Sequence, residues 1–250
     1  MIIDNPSPRD IPALRRIWQQ AFGDPDAFLD DFFQVGFAFD RCWCVFQDQE
    51  PVAAVYLFEC TWQEQKVAYL YALAVEQNHQ KQGLSRLLLA DVHAKLQQAD
   101  YVGAIMEPAT ESLRKYYERL GYRSFGSRQE KVFEAGDREI PITELAELAY
   151  GMLRRKHLPP GGVVQEGALI TLLQSQAICY GGEGFVAAVS REDHLVVLEF
   201  LGEEDKIPGF LKTLRLDRAI VRLPGGSPTA VYLDFSGQGN VPSYFGLPMD

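Results

Sequence analysis

Hydrophobic and polar positions change their period several times along this chain, and each change predicts a different element. From residue 11 to residue 22, apolar side chains recur every three or four residues, as in an amphipathic helix. Three apolar runs separated by short polar turns then predict an antiparallel meander. Alternating helices and strands follow, so the later strands should run parallel. The predicted elements of this half are a helix from 27, strands at 42–47, 51–60, 66–76 and 101–107, and helices at 84–96 and 111–120.

Near Ala135-Gly136-Asp137 the pattern changes and a similar order begins again. We therefore expect two domains, residues 1–136 and 137–250, with the second an abbreviated and degenerate repeat of the first. Its turn from strand to helix, at 201–205, is acidic and would repel a phosphate group. The elements predicted here are helices at 142–156, 166–179 and 205–215, and strands at 185–189, 195–201, 218–223 and 229–235.

Size and composition favour a folded cytoplasmic protein. The chain has 250 residues, 47% of them hydrophobic, which suffices for a buried core. A helix that spans a bilayer needs about 18 consecutive apolar residues, and no run in this sequence is that long. The N-terminus lacks the features of a secretory signal. Four cysteines without a Cys-x-x-Cys pair predict reduced buried thiols and no metal site.

The net charge of −10, from 24 basic and 34 acidic residues, argues against a nucleic-acid partner. It is compatible with a cationic small molecule such as an amine. We expect no membrane partner, and homo-oligomer formation is left open.

The segment with the most chemical content is the strand 67–75 and the turn that follows it. The turn reads Gln80-Lys81-Gln82-Gly83-Leu84-Ser85-Arg86 and leads directly into a helix. Unpaired N–H groups and the positive dipole end of a helix bind anions, and a glycine lets a phosphate approach the backbone. Lys81 and Arg86 add positive charge. The pattern predicts a pyrophosphate cradle, although a glycine serves turn geometry alone in many proteins.

Two blocks in this half resemble the GCN5-related N-acetyltransferases (GNAT). Gln80, Gly83 and Ser85 occupy the defined places of the family's Gln/Arg-x-x-Gly-x-Gly/Ala signature. Downstream, Tyr117 precedes Gly121-Tyr122, similar to the Tyr-x-x-x-Gly-Phe/Tyr end of the family's last core helix. The tract from His79 to Arg86 resembles the Eis-like acetyltransferases in particular. The resemblance implies an α/β (α+β) GNAT fold with a mixed, mostly antiparallel sheet, followed by a second, degenerate GNAT-like half.

The resemblance also implies a reaction. An N-acetyltransferase of this family moves an acetyl group from acetyl-CoA to a primary amine, here expected on a small molecule, by direct attack and without a metal. The pantetheine arm would pair with the strand before the turn, and the pyrophosphate would lie on the turn. The implied donor-binding residues are Leu73, Ala74, Val75, Gln80, Lys81, Gln82, Gly83, Leu84, Ser85, Arg86, Ser112 and Tyr117.

The catalytic residues are less fully specified. Tyr117 has the position of the family's general acid, which protonates the leaving thiolate. The base is open: Glu107 ends a strand that should splay from residues 66–76, and Eis-like enzymes suggest the terminal carboxylate of Asp250. Glu59 and Glu76 are alternatives, whereas His79 is expected to be structural. Ser85 and Thr110 depart from the family's usual residues. A non-catalytic acyl-CoA-binding module and a structural pseudo-enzyme are the competing interpretations.

Overall fold

The computed structural model of the chain describes residues 1–246 and confirms a mixed α/β fold. Two compact units form: one from residues 1–60, 64–106 and 233–239, and a second from 61–63, 107–232 and 240–246. The domain boundary expected at residue 136 stays a prediction. Within residues 1–246, no helix combines the length and the hydropathy needed to cross a bilayer.

The first unit contains a sheet whose strands lie in sequence order. Two-residue turns with positive φ, at Asp48-Gln49 and Gln63-Glu64, join the meander strands, and such turns suit the twist of a hairpin. The last strand runs parallel to its neighbour, with Val67 opposite Gly103. The predicted meander and parallel strand are confirmed. The strands are β1 (Ile2–Asp4), β2 (Cys42–Gln47), β3 (Glu50–Trp62), β4 (Gln65–Val75) and β5 (Gly103–Met106).

Three helices complete this unit: α1 (Ile11–Phe22), α2 (Asp26–Asp31) and α3 (Leu84–Gln98). The apolar stripe of α1 buries Trp18, whose ring lies 4.5 Å from that of Phe32. Residues Phe32–Gly36 form a wider π-type turn after α2, which ends the second helix earlier than the apolar run suggests. Burial of these rings against one another supplies much of the hydrophobic core here.

The second unit also contains a mixed sheet, in the strand order β13-β6-β12-β11-β10-β9-β7. The elements after residue 107 are α4 (Glu111–Glu118), β6 (Arg123–Glu134), β7 (Ile142–Glu144), α5 (Glu147–His157), β8 (Val164–Gln165), α6 (Ala168–Gln176), β9 (Ala177–Gly182), β10 (Phe185–Ser190), β11 (Val196–Gly202), α7 (Ile207–Thr213), β12 (Arg218–Pro224) and β13 (Ser227–Asp234).

The topology of the second unit repeats that of the first, as expected from the sequence. Strands β9, β10 and β11 form an antiparallel meander, and α7 then leads to β12, which is parallel to β11. The first unit has the same order, with a meander of β2, β3 and β4 followed by α3 and the parallel strand β5.

Two predicted helices are wrong at one end. Residues 142–144 were expected to begin a helix but form β7, in which Ile142 pairs with Gly182 of β9, so α5 begins only at Glu147. Residues 177–179 were expected to be helical but belong to β9, where alternate side chains are buried and Ala177 pairs with Ser190. Pairing with β10 therefore overrides the local helical pattern.

Candidate functional site

Strand β4 leaves its parallel partner before it ends. The last paired residues are Tyr69 and Ile105, and β4 continues to Val75. In the continuation, Ala72 has φ 49°, a left-handed conformation that costs a non-glycine residue roughly 1–3 kcal/mol. Such a left-handed residue within a continuous strand, called the strand break below, redirects the backbone, as the β-bulges found beside functional sites do.

The C-terminal end of β4 is held by a hydrogen bond to β3, on the side opposite β5. The N–H of Glu76 donates to the carbonyl of Val52 in β3, at 2.9 Å. The edge that faces away from β3 therefore carries the backbone of Leu73, Ala74 and Val75, beyond the register with β5. Leu73 and Val75 are half-buried and Ala74 is buried. The backbone of these residues has the geometry for pairing with an extended ligand.

The turn after β4 ends at a glycine that caps α3. Gly83 has φ 78°, and the first bond of the helix runs from the N–H of Leu87 to its carbonyl, at 3.0 Å. The N–H groups of residues 84–86 precede that bond and point out of the helix N-terminus. Gly83 itself has no side chain with which to cap this end. A Cβ built on Gly83 would meet no atom within 4 Å, so the space in front of the helix is open.

Two glutamine side chains order the turn. Gln80 donates from Nε2 to the carbonyl of Val75, and Gln82 donates to the carbonyl of Asn78, each at 3.4 Å. Lys81 is exposed and has φ 61°, and Arg86 is exposed in the first turn of α3. The turn therefore combines backbone donors, a helix dipole and positive side chains, which fits a diphosphate group.

His79 and Glu76 hold the turn to the rest of the unit. The Nδ1 of His79 lies 2.9 Å from Glu76, and the same carboxylate accepts from Nε of Arg16 in α1, at 3.2 Å. These contacts support the structural role expected for His79. They also occupy Glu76, one of the alternative bases.

Tyr117 lies near the C-terminal end of α4, in the second unit. The helix is capped by Thr110, whose hydroxyl accepts from the N–H of Leu113 at 3.2 Å. Tyr117 is only 6% exposed and lies beside the rings of Tyr116 and Tyr122, with centroids 5.3 and 5.6 Å away. Burial raises the pKa of its phenol above the ordinary value of 10. The side chain is therefore a protonated donor at neutral pH.

The motif around Tyr117 has a local structural reason as well. Gly121 has φ 95°, and the N–H of Tyr122 donates back to the carbonyl of Tyr117, at 3.2 Å. This is the usual way to end a helix with a glycine. Ser112 is exposed in the first turn of the same helix.

Two further carboxylates considered as bases, Glu107 and Glu59, each have a contact. Glu107 has an 8% exposed side chain, and its Oε1 lies 3.4 Å from Nη1 of Arg128, which is also largely buried. Glu59 accepts from the hydroxyl of Tyr101, at 2.8 Å. Asp250 lies outside the described residues. Among residues 1–246, no group of three or more His, Cys, Asp or Glu side chains has a metal-binding arrangement.

Sequence reasoning missed a buried ion pair in the second unit. Arg154 and Glu199 are each 1% exposed, and the guanidinium donates to both carboxylate oxygens, at 2.7 and 3.0 Å. Tyr150 and Tyr244 donate to the same carboxylate, at 3.3 and 2.9 Å. The sequence presents Arg154 only as one of several basic residues at the end of a helix. Its partner is 45 residues away, so no local signal identifies the pair.

The same pair fixes the segment that leads to the C-terminus. Tyr244 is part of the network, Phe245 is fully buried, and the carbonyl of Gly246 accepts from Nε2 of Gln165, at 2.6 Å. The compact tail noted in the sequence is therefore part of the packed second unit up to residue 246.

Comparison with known proteins agrees with this geometry. Residues 11–122 match the family model described as "Acetyltransferase (GNAT) family". This segment, a little under half of the chain, is similar to a GNAT acetyltransferase domain. The match covers the strand break, the glycine-capped helix and Tyr117, so the family resemblance is confirmed. No curated protein sequence matches the chain.

Solved structures share the fold over nearly the whole chain. A GCN5-related N-acetyltransferase from Kribbella flavida has a TM-score of 0.71 and 17% identity, covering 92% of this chain and 70% of its own. A putative acetyltransferase from Pyrococcus horikoshii has a TM-score of 0.64 and 15% identity, covering 98% and 93%. Eis1 from Mycobacterium abscessus has a TM-score of 0.67 and 13% identity, covering 91% and 66%. The GNAT domain and the second half thus have a fold in common with these structures.

Proposed function

We propose that this chain is an acyl-CoA-dependent N-acetyltransferase that acetylates a primary amine of a small molecule. The match of residues 11–122 to the GNAT acetyltransferase family suggests acyl transfer from acyl-CoA. The observation that carries the proposal is the combination, in one unit, of the strand break at Ala72 and the glycine-capped helix α3. The strand break leaves a backbone edge that an extended ligand could pair with. The N-terminus of α3, a few residues later in the chain, offers a site for an anion.

The donor would be held almost entirely by main-chain groups. The pantetheine arm would pair with the backbone of Leu73, Ala74 and Val75, as an added strand. The N–H groups from Gln82 to Arg86 would receive the pyrophosphate, which is favoured by the helix dipole. The side chains of Lys81 and Arg86 would neutralise part of its charge. Binding by main-chain groups explains why the turn requires a glycine but tolerates Ser85.

The chemical step proposed is direct attack. The amine nitrogen forms a bond to the thioester carbonyl carbon while the carbon–sulfur bond breaks. A backbone N–H of β4 would stabilise the developing oxyanion. Tyr117 would donate its phenolic proton to the leaving thiolate, and the attacking amine would lose a proton to a base or to water. The raised pKa of Tyr117 keeps that proton in place at neutral pH.

The base that would take the proton from the amine has two candidates. Glu107 and Asp250 are retained as candidates on their places in the chain. Because Arg128 lies against Glu107, with 3.4 Å between the two, this carboxylate is already engaged in an ion pair. This favours a base from elsewhere, or attack by the fraction of amine that is neutral.

The same contact supports a second candidate function. A chain that binds acyl-CoA at the turn but has no available base would act as a non-catalytic acyl-CoA-binding module. The ion pair of Glu107 and the hydrogen bond of Glu59 to Tyr101 both favour this alternative.

Two measurements distinguish these functions. Titration calorimetry with acetyl-CoA should give a saturable heat, and its absence would leave only a structural pseudo-enzyme. Release of free CoA is then measured with a panel of small primary amines, with cationic amines first because the chain has a net charge of −10. Binding without amine-dependent release of CoA would support the module and contradict the enzyme.

A further inference from the structure

Helix α5 in the second unit exposes large apolar side chains that have no function in the GNAT reaction. Leu148 is 77% exposed and Met152 is 68% exposed, although both are apolar. Beside them lies a groove of about 350 Å³ between α5 and α6, which also contacts the buried side chain of Ile170. Adjacent exposed apolar side chains of this kind typically mark an interaction surface. The α5 face is defined here by Glu147, Leu148, Gly151, Met152 and Arg155.

The glycine in the middle of this face lacks an explanation within the chain. Gly151 lies in the interior of α5, where glycine costs about 1 kcal/mol relative to alanine. Its φ is not in the positive range, and a Cβ built on it would meet no atom within 4 Å. Neither backbone conformation nor packing in the described residues therefore requires a glycine. Close approach of another backbone would require one.

The charges on the α5 face are arranged symmetrically about that glycine. Glu147 lies four residues before Gly151 and Arg155 lies four residues after it, so both are on the same side of the helix. Within one chain, Glu147 accepts from the hydroxyl of Thr171 at 2.8 Å, and Arg155 forms an exposed ion pair with Glu166 at 3.4 Å. When two copies of α5 cross in antiparallel orientation at Gly151, Glu147 of each copy also faces Arg155 of the other. Leu148 of each copy then lies near Met152 of the other. The surface is therefore complementary to itself.

We propose that a second copy of this chain covers the α5 face, related by a twofold axis that passes near Gly151. An isologous contact of this kind closes on itself and gives a dimer. The 11 residues of α5 span only about 16 Å, so the contact is at the small end of specific interfaces and should dissociate on dilution. This proposal does not depend on the proposed enzymatic function, since it uses neither the strand break nor the turn at Gly83.

Sedimentation velocity of the full chain, from about 1 to about 100 μM, tests the proposal. The unmodified chain should shift from monomer to dimer in this range, and the double variant Leu148→Lys/Met152→Lys should stay monomeric. Val132→Lys is the matched control, because Val132 is an apolar side chain of similar exposure, 66%, on β6. Circular dichroism confirms that each variant is folded.

Charge reversal tests the antiparallel geometry. Glu147→Lys and Arg155→Glu should each weaken the dimer by about tenfold or more, because each places like charges together twice in one dimer. The double reversal Glu147→Lys/Arg155→Glu should restore it. A chain that stays monomeric throughout the range would overturn the proposal. So would a dimer that Val132→Lys dissociates and the α5 variants leave intact, or one that the double reversal does not restore.

Discussion

A glutamate in place of Gly83 tests the anion site most directly. Gly83 has φ 78°, and a side chain there would project into open space in front of α3. An L-residue in this left-handed conformation costs about 1–2 kcal/mol. We therefore expect Gly83→Glu to fold, with a melting temperature lower by about 2–4 °C for each kcal/mol.

The expected effect on donor binding is larger than that on stability. The new carboxylate would lie beside the pyrophosphate, and two unit charges at 4 Å repel each other by about 1 kcal/mol even in water. Two phosphate charges give about 2 kcal/mol, which is about a 30-fold loss of acetyl-CoA affinity. Gly83→Gln adds similar bulk without charge, so the difference between the two variants isolates the electrostatic part.

Gly23 provides a matched control for the backbone strain. It ends α1 with φ 75°, and a Cβ on it would likewise meet no atom within 4 Å. Gly23→Glu should therefore lower the melting temperature by a similar amount and leave the affinity for acetyl-CoA unchanged. Affinity is measured by calorimetry and stability by thermal unfolding. Equal acetyl-CoA affinities for Gly83→Glu and Gly23→Glu would refute the assignment of the pyrophosphate site.

Three further predictions concern single side chains. Tyr117→Phe should lower turnover by about 10²-fold or more with little change in the calorimetric affinity for acetyl-CoA; unchanged turnover would rule out Tyr117 as the acid. Arg154→Met leaves Glu199 buried without its partner and should destabilise the chain by about 3–5 kcal/mol in urea unfolding, whereas the exposed neighbour Lys156→Met should change stability by less than about 0.5 kcal/mol. Burial lowers the pKa of His93 to about 4 from an ordinary 6.5. As the pH falls below 6.5, the unfolded chain binds a proton at this residue before the folded chain does. The contribution of neutral His93 to the free energy of unfolding is therefore complete above pH 6.5 and is lost as the pH falls towards 4. His93→Gln should therefore lose less stability than the unmodified chain between pH 7 and pH 4, by at most about 3 kcal/mol, and parallel pH profiles would contradict this.

Elements with a strong local pattern were predicted close to their observed bounds. The helix expected at 84–96 is α3, Leu84–Gln98, and the strand expected at 66–76 is β4, Gln65–Val75. The apolar pattern of each element and the residues of the turn between them are local features of the sequence, so neighbouring residues specify both elements. The strands β7 and β9 were missed because their identity depends on pairing, of β7 with β9 and of β9 with β10, which the local sequence does not encode.

The sequence by itself determined the local chemistry: the turn around Gly83, the helix that follows it and the aromatic helix end at Tyr117. These features depend on residues within one or two turns of each other, so spacing alone reveals them. Only the tertiary structure decided that β4 breaks at Ala72, that Arg128 lies against Glu107 and that Arg154 is buried on Glu199. It also decided that Leu148 and Met152 face outward from α5. Strain, desolvation and exposure depend on distant parts of the chain, and these are set only when the chain has folded.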